Sequence, residues 1–165
     1  MILDRRMPKM ELKTISLPTR QIEIEVYISS TETSENVPAI LLLHELFGVL
    51  DCYREDAQDL ADRGYLVYVP NLFSGGAVKY CIRAMVTKAG RTNAADSDMN
   101  KEIHALLDAL KADPRSNGRL GMLGQCLTGG YVIQMAKRDD MLAPVIYHHS
   151  LGLEGVGVPK TETLD

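Results

Sequence analysis

The sequence predicts an α/β fold with a mostly parallel sheet that begins with antiparallel strands. Residues 21–28 alternate strictly between polar and apolar side chains, which is typical of a strand with one solvent-facing side. Further along the chain, short unbroken apolar runs such as residues 39–43 are interspersed with helix-like segments. That order is typical of a parallel sheet with helices packed on both faces.

The predicted elements follow in the order β-β-β-α-β-α-α-β-α-β. Alternation predicts strands over residues 12–17 and 21–28, with Pro18 at the start of the turn between them. Unbroken apolar runs predict buried strands over 38–43 and 65–69. The remaining predictions are helices over 53–62, 78–88, 97–112 and 127–137 and short strands over 119–123 and 143–147.

Two of the predicted helices carry both an apolar stripe and an end signal. The helix over residues 53–62 is followed by Gly64, a residue type that favours the left-handed conformation just past a helix end. The helix over 97–112 has Asp96 or Ser97 as its cap. Its predicted core stripe consists of Ile103, Leu106, Leu107 and Leu110.

The composition is typical of a soluble globular protein, with 45% apolar and 24% charged residues in 165. This length suits one domain, so residues 1–165 are predicted to form a single domain. The net charge of −4 argues against nucleic acid and against a membrane surface as partners. Because no apolar run is long enough for a membrane span or a secretory signal, we expect a cytoplasmic location.

The cysteines Cys52, Cys81 and Cys126 are too widely spaced to form a Cys-x-x-Cys pair. This spacing argues against a structural zinc site, and the odd number predicts free thiols in a reducing compartment. No carboxylate lies at metal-ligand spacing from the adjacent pair His148 and His149. We therefore expect no metal and no other cofactor.

Residues 119–131 carry the pattern that indicates chemistry, because a predicted strand runs through Gly124-Gln125-Cys126 into a predicted helix. This is the layout of a nucleophile elbow, in which a strained strand-to-helix turn exposes the nucleophile. Glycines beside the turn prevent clashes, and the start of the following helix favours a thiolate and an oxyanion. The alternative interpretation of the motif alone is a glycine-rich turn around a buried cysteine.

A second segment, together with the Cys126 motif, resembles the dienelactone hydrolase family of α/β-hydrolases. The residues that carry the resemblance are the strand over 38–43, the sequence His44-Glu45-Leu46-Phe47-Gly48, Arg54, and residues 60–73. Around Cys126 the sequence is similar to the family's Gly-x-Cys-x-Gly-Gly stretch, except that Thr128 stands where the family usually has Gly. The resemblance spans residues 38–147 and implies an α/β-hydrolase-type mostly parallel sheet with helices on both faces.

The resemblance implies a hydrolase that cleaves an ester or lactone through a cysteine nucleophile. Cys126 would be the nucleophile, and Glu45 would lie near its thiol and influence its ionisation. The backbone N–H groups of Leu46 and Leu127 would form the oxyanion hole. An exposed loop carboxylate is the alternative interpretation of Glu45.

The family's catalytic Asp and His follow two later strands, and neither has a counterpart before Asp165. We therefore expect a domain whose last strands are missing and whose activity by itself is limited, since efficient turnover needs a proton acceptor. His44, His148 and His149 are the candidate pocket residues, although simple packing explains each of them as well. The alternative functions are a non-catalytic pseudo-enzyme, a small-molecule-binding or interaction subunit, or the N-terminal fragment of a longer enzyme.

The expected partner at the site is a small-molecule ester or lactone. The predicted last strand, residues 143–147, would have an open edge if later strands are missing. Open edges and uncovered apolar surface promote association. We therefore expect a homodimer or a complementing C-terminal chain that completes the fold.

Overall fold

A computed structural model describes residues 9–29, 36–45, 47–73, 98–126 and 128–149, and for His148 and His149 it describes the backbone alone. Strands and helices alternate along most of this part of the chain. The elements are β1 (Lys9–Ser16), β2 (Gln21–Ile28), β3 (Val37–Leu43), α1 (Asp51–Asp62), β4 (Leu66–Pro70), α2 (Asp98–Lys111), β5 (Ser116–Cys126), α3 (Gly129–Met135) and β6 (Met141–His149).

The six strands form one sheet in the order β1-β2-β4-β3-β5-β6. The β1–β2 and β2–β4 pairs are antiparallel, whereas the β3–β4, β3–β5 and β5–β6 pairs are parallel. The predicted mostly parallel sheet with an antiparallel N-terminal hairpin is thus confirmed. Because the parallel strands share one direction, β3, β4, β5 and β6 all end at the same side of the sheet, which we call the carboxyl edge.

The buried residues lie on both faces of the sheet. On one face, Ala57 and Ala61 of α1 pack with Leu42 and Val67. On the other face, α2 and α3 contribute to a larger cluster that also includes Leu41 and other residues of the central strands. β4 is buried along its whole length, as expected for a strand covered from both sides. The predicted helices on both faces are therefore present.

The predicted helix stripes agree with the structure. Ile103, Leu106, Leu107 and Leu110 of α2 are all fully buried. Gly64 has a φ of 92° just past the end of α1, the left-handed conformation that its position predicts.

Several predicted boundaries were wrong: β1 begins at Lys9 and α1 at Asp51, each earlier than predicted, and β5 differs most. It begins at Ser116 and includes Gly118, which follows Asn117 in a dipeptide that is typical of turns. Val37 pairs with Ser116 and Ala39 pairs with Leu120, so β5 contains extra residues that form a bulge, with Gly118 at a φ of 81°. The glycine that is typical of a turn therefore lies at a bulge inside the strand.

Two further differences concern α3 and β6. α3 covers Gly129–Met135 and is shorter than predicted, since Thr128 still belongs to the turn before it. β6 covers Met141–His149 and is longer than predicted, because it follows β5 to the carboxyl edge. The predicted helix over residues 78–88 lies outside the described residues.

None of the helices in the described residues is long and apolar enough to cross a membrane. Within the same residues, no three or more His, Cys, Asp or Glu side chains are grouped so that they could hold a metal ion.

Candidate active site

The pairing of β3 with β5 brings two of the predicted site residues to neighbouring positions. Leu43, the last residue of β3, pairs with Gly124 of β5. Glu45 and Cys126 each follow that pair by two residues along parallel strands. Both therefore lie at the carboxyl edge, where ligand sites of open α/β sheets are formed.

β6 borders the same position from the other side of β5. Its backbone pairs Tyr147 with Gln125 and His149 with Cys126. The side chain of Tyr147 is exposed, and the side chains of His148 and His149 lie outside what the structure describes. The backbone of one predicted pocket histidine is thus next to that of Cys126.

Cys126 has the backbone conformation that a nucleophile elbow requires. Its φ is 51°, and among the described residues it is the one non-glycine residue with a positive φ. This conformation costs a residue with a Cβ about 1–2 kcal/mol, so the surrounding structure must stabilise it. The thiol is free and partly exposed, and could therefore meet a ligand.

Gly124 allows the helix after the turn to pack closely on β5. A Cβ at Gly124 would lie 2.6 Å from Cγ2 of Val132 and 2.8 Å from the carbonyl oxygen of Thr128. Both distances are far below van der Waals contact, and the second is a contact with a backbone atom. Any larger residue would therefore push the turn away from β5, which explains the glycine two residues before Cys126.

Thr128 stabilises the turn from within. Its hydroxyl donates to the carbonyl oxygen of Gln125 and accepts from the backbone N–H of the same residue, with both distances 3.0 Å. The N–H of Thr128 also donates to that carbonyl. Thr128 is fully buried. Thr128 stands where the family usually has glycine. The hydroxyl of Thr128 links Gln125, the residue before Cys126, to the start of α3.

The backbone of Glu45 is held on both sides by side chains. Its N–H donates to the hydroxyl of Tyr53 at 3.1 Å. Its carbonyl oxygen lies 2.6 Å from Nδ1 of His44. The other ring nitrogen of His44, Nε2, accepts from the N–H of Leu72 at 3.0 Å. The segment after β3 is therefore tied to α1 and to the segment after β4.

These partners settle the protonation of His44. Nδ1 faces a carbonyl and must donate, whereas Nε2 faces an N–H and must accept, so the ring is neutral. Burial lowers the pKa of His44, which also favours the neutral form. The ring is fully buried and packs edge-on against Phe73, with centroids 5.2 Å apart. Of the two roles open to His44 from the sequence, this geometry favours packing over lining the pocket.

Tyr53 is the residue of this site that the sequence did not reveal. The sequence predicts it as part of the apolar stripe of α1, and it is indeed buried. Burial raises the pKa of Tyr53, the hydrogen bond from the Glu45 backbone N–H lowers it, and the electrostatic influence of Glu45, Cys52 and Cys126 raises it further. The phenol is therefore neutral. The one signal in the sequence is the residue type, because a buried tyrosine usually needs a polar partner.

Several predicted site residues lie outside the described part of the chain. These are Leu46 and Leu127, whose N–H groups are the predicted oxyanion hole. Of residues 71–95, which are predicted to shape much of the pocket, the structure describes 71–73. Cys81 also lies outside the described residues. His104 lies away from the site on α2, where its Nδ1 is 2.9 Å from Arg138.

Comparisons with known proteins identify the family of this chain. The model of the dienelactone hydrolase family matches residues 24–163. Carboxymethylenebutenolidase 1 of Cupriavidus pinatubonensis is 28% identical over 138 residues, which are 80% of this chain and 56% of that protein. Carboxymethylenebutenolidase of Pseudomonas putida is 25% identical over 130 residues, 74% of this chain and 52% of the relative. The chain thus spans about half the length of these curated relatives.

Solved structures show the same fold. A dienelactone hydrolase from Anabaena variabilis superposes with a TM-score of 0.66 at 14% identity, covering 87% of this chain and 65% of that one. A dienelactone hydrolase-like promiscuous phosphotriesterase from metagenomic libraries gives 0.68 at 18%, covering 87% and 60%. The shared sheet and the extent of the family match lead to one conclusion: this chain belongs to the dienelactone hydrolase family.

Proposed function

We propose that this chain cleaves a small carboxylic ester or lactone with Cys126 as the nucleophile. The observation that carries the proposal is the backbone of Cys126, which has a φ of 51° at a strand-to-helix turn and a partly exposed thiol. A structural cysteine has no need of so strained a conformation. The names of the curated relatives refer to a butenolide, which is a lactone, and this supports the substrate class.

The proposed chemistry is acyl transfer in two steps. The thiolate of Cys126 attacks the carbonyl carbon, and the carbonyl oxygen becomes an oxyanion. When the intermediate collapses, the bond to the alkoxy group breaks, the alcohol leaves with a proton, and a thioester remains on Cys126. Water then hydrolyses the thioester to the carboxylic acid and regenerates the thiol. The N–H groups of Leu46 and Leu127 remain the predicted oxyanion donors.

Both steps need a proton acceptor near the thiol. His44 is a poor candidate, because its two ring nitrogens are already bonded to backbone groups. His148 and His149 remain the candidates within this chain, and the backbone pairing of His149 with Cys126 supports testing that residue first. A complementing chain is the other source of a base.

The second candidate function is that of a non-catalytic relative that binds a small molecule or a partner. It is favoured by the engagement of both nitrogens of His44, which leaves that ring without a free site for proton transfer. In this second function the turn at Cys126 has a structural role only, and Cys126 does not accept acyl groups.

A burst assay with p-nitrophenyl acetate, followed by intact and peptide mass measurement, tests the proposal. We expect one equivalent of nitrophenol and an acetyl group on Cys126, lost in Cys126→Ala. Cys52→Ala is the matched control, because Cys52 is also a free thiol and is more exposed. Steady turnover would indicate a base, to be sought with His149→Ala. An acetyl group on Cys52 alone, or the absence of both nitrophenol release and an acetyl group, would exclude Cys126 as the nucleophile and favour the non-catalytic function.

A further inference from the structure

Two successive peptide units after β3 are each held by a buried side chain. The N–H of Glu45 belongs to the peptide unit between residues 44 and 45, and it donates to the Tyr53 hydroxyl. The carbonyl of Glu45 belongs to the next peptide unit, and His44 Nδ1 donates to it. Backbone groups at the end of a strand normally bond to water or to other backbone groups. Here two side chains perform that task.

The two side chains are themselves held firmly. Tyr53 is 2% exposed and His44 is 0% exposed. Their rings meet edge to face with centroids 6.3 Å apart. His44 is also bonded to the N–H of Leu72, which lies beyond β4. The orientation of the Glu45 backbone is thus determined by α1 and by the segment after β4, and not by the local chain alone.

The direction of the Glu45 carbonyl matters for chemistry because of the peptide unit to which it belongs. That unit begins with the Glu45 carbonyl and ends with the N–H of Leu46, and planarity ties the direction of one group to that of the other. The N–H of Leu46 is one of the two predicted oxyanion donors. His44, which holds the Glu45 carbonyl, therefore sets the direction of the predicted donor, and Tyr53 holds the peptide unit just before it.

We infer that Tyr53 is a positioning residue for the oxyanion hole and acts through the Glu45 backbone together with His44. The inference rests on the proposed function, since it concerns the oxyanion that forms when Cys126 attacks a carbonyl. Tyr53 is suited to the task because its phenol is neutral and its ring is packed on the buried side of α1. A phenylalanine would fill the same space but would leave the N–H of Glu45 without its acceptor.

The test compares two reactions of the same thiol. Acylation of Cys126 by p-nitrophenyl acetate passes through an oxyanion, whereas alkylation by iodoacetamide is a substitution at a saturated carbon and forms none. Both rates are followed on the Cys126 peptide by mass spectrometry, so that Cys52 does not contribute. For Tyr53→Phe we expect the ratio of acylation to alkylation rates to fall about tenfold, less than the hundredfold or more that follows deletion of an oxyanion donor.

Tyr68→Phe is the matched control. It also removes a fully buried hydroxyl, one that donates to Asp113 at 2.7 Å on the opposite face of the sheet. A general loss of stability would affect both variants, whereas a positioning role lowers the ratio for Tyr53→Phe alone.

The possible outcomes separate this inference from the proposed function. If wild-type Cys126 is acylated and Tyr53→Phe keeps the wild-type ratio, Tyr53 has no positioning role, and the proposed function stands. An equal fall of the ratio in Tyr68→Phe would likewise exclude a positioning role for Tyr53 and leave the proposed function standing. If wild-type Cys126 is alkylated but never acylated, the proposed function fails and the inference fails with it.

Discussion

At the scale of single residues, the chemistry of the site depends on a few contacts around two strand ends. Gly124 makes room for the turn, Thr128 bridges it, and Cys126 takes the strained conformation that results. The sequence predicted the role of Gly124 and Cys126 from the elbow pattern. It could not predict that of Thr128, because residue type alone does not show that a hydroxyl reaches back to Gln125.

Thr128→Val should destabilise the protein by about 1–2 kcal/mol, because valine has a similar size but leaves the partly buried N–H of Gln125 without its hydroxyl acceptor. Urea unfolding of the variant and the wild type measures this difference. Thr14→Val is the control, since Thr14 is exposed on β1 and the same exchange there should change the unfolding free energy little. Equal stability of Thr128→Val and wild type would mean that the bridge contributes nothing.

At the scale of elements, the connection from α2 to β5 is held by a buried carboxylate. Asp113 has a side chain that is 1% exposed and accepts hydrogen bonds from Tyr68 of β4 and from Arg115. Burial by itself would raise the pKa of Asp113, but the hydrogen bonds from Arg115 and Tyr68 outweigh it and hold the pKa well below its usual range. The contact joins the segment between α2 and β5 to β4.

The stability that Asp113 contributes should depend on pH. Because the pKa of Asp113 is lower in the folded than in the unfolded chain, its contribution is complete above the unfolded value of about 3.9 and declines as the pH falls below it. We expect Asp113→Asn to lower the unfolding free energy by about 2–3 kcal/mol at pH 7 and by less at pH 3. Urea unfolding at both pH values checks this. A deficit that is the same at both would contradict the assignment.

At the scale of the whole molecule, the edge of the described sheet at β6 carries exposed apolar side chains. β6 is the last strand of the described sheet, and four of its large apolar side chains are exposed, namely Leu142, Val145, Ile146 and Tyr147. The predicted open edge is therefore present in the described part of the chain. An edge strand with so much exposed apolar surface favours association.

We expect the purified chain to form a dimer through β6, with twice the chain mass by light scattering. Val145→Lys should shift it toward the monomer, because a lysine on an edge strand opposes pairing and burial. Leu12→Lys on β1, at the other edge of the sheet, is the matched control, since Leu12 is also an exposed apolar residue on an edge strand. A monomeric wild type, or an equal effect of both variants, would contradict association through β6.

The sequence by itself determined the fold class, the strands β2, β3 and β4 to within a residue or two, the core stripe of α2 and the elbow around Cys126. These features depend on local periodicity and on residues that are close along the chain.

Other features were decided only by the tertiary structure: the bulge at Gly118, the bridging role of Thr128, and the arrangement of His44, Tyr53 and Leu72 around one backbone segment. His44 and Leu72 are far apart in sequence and meet because β3 and β4 are neighbours. Hydrogen bonds between such residues depend on strand order and register, and no local sequence pattern predicts the strand order or the register.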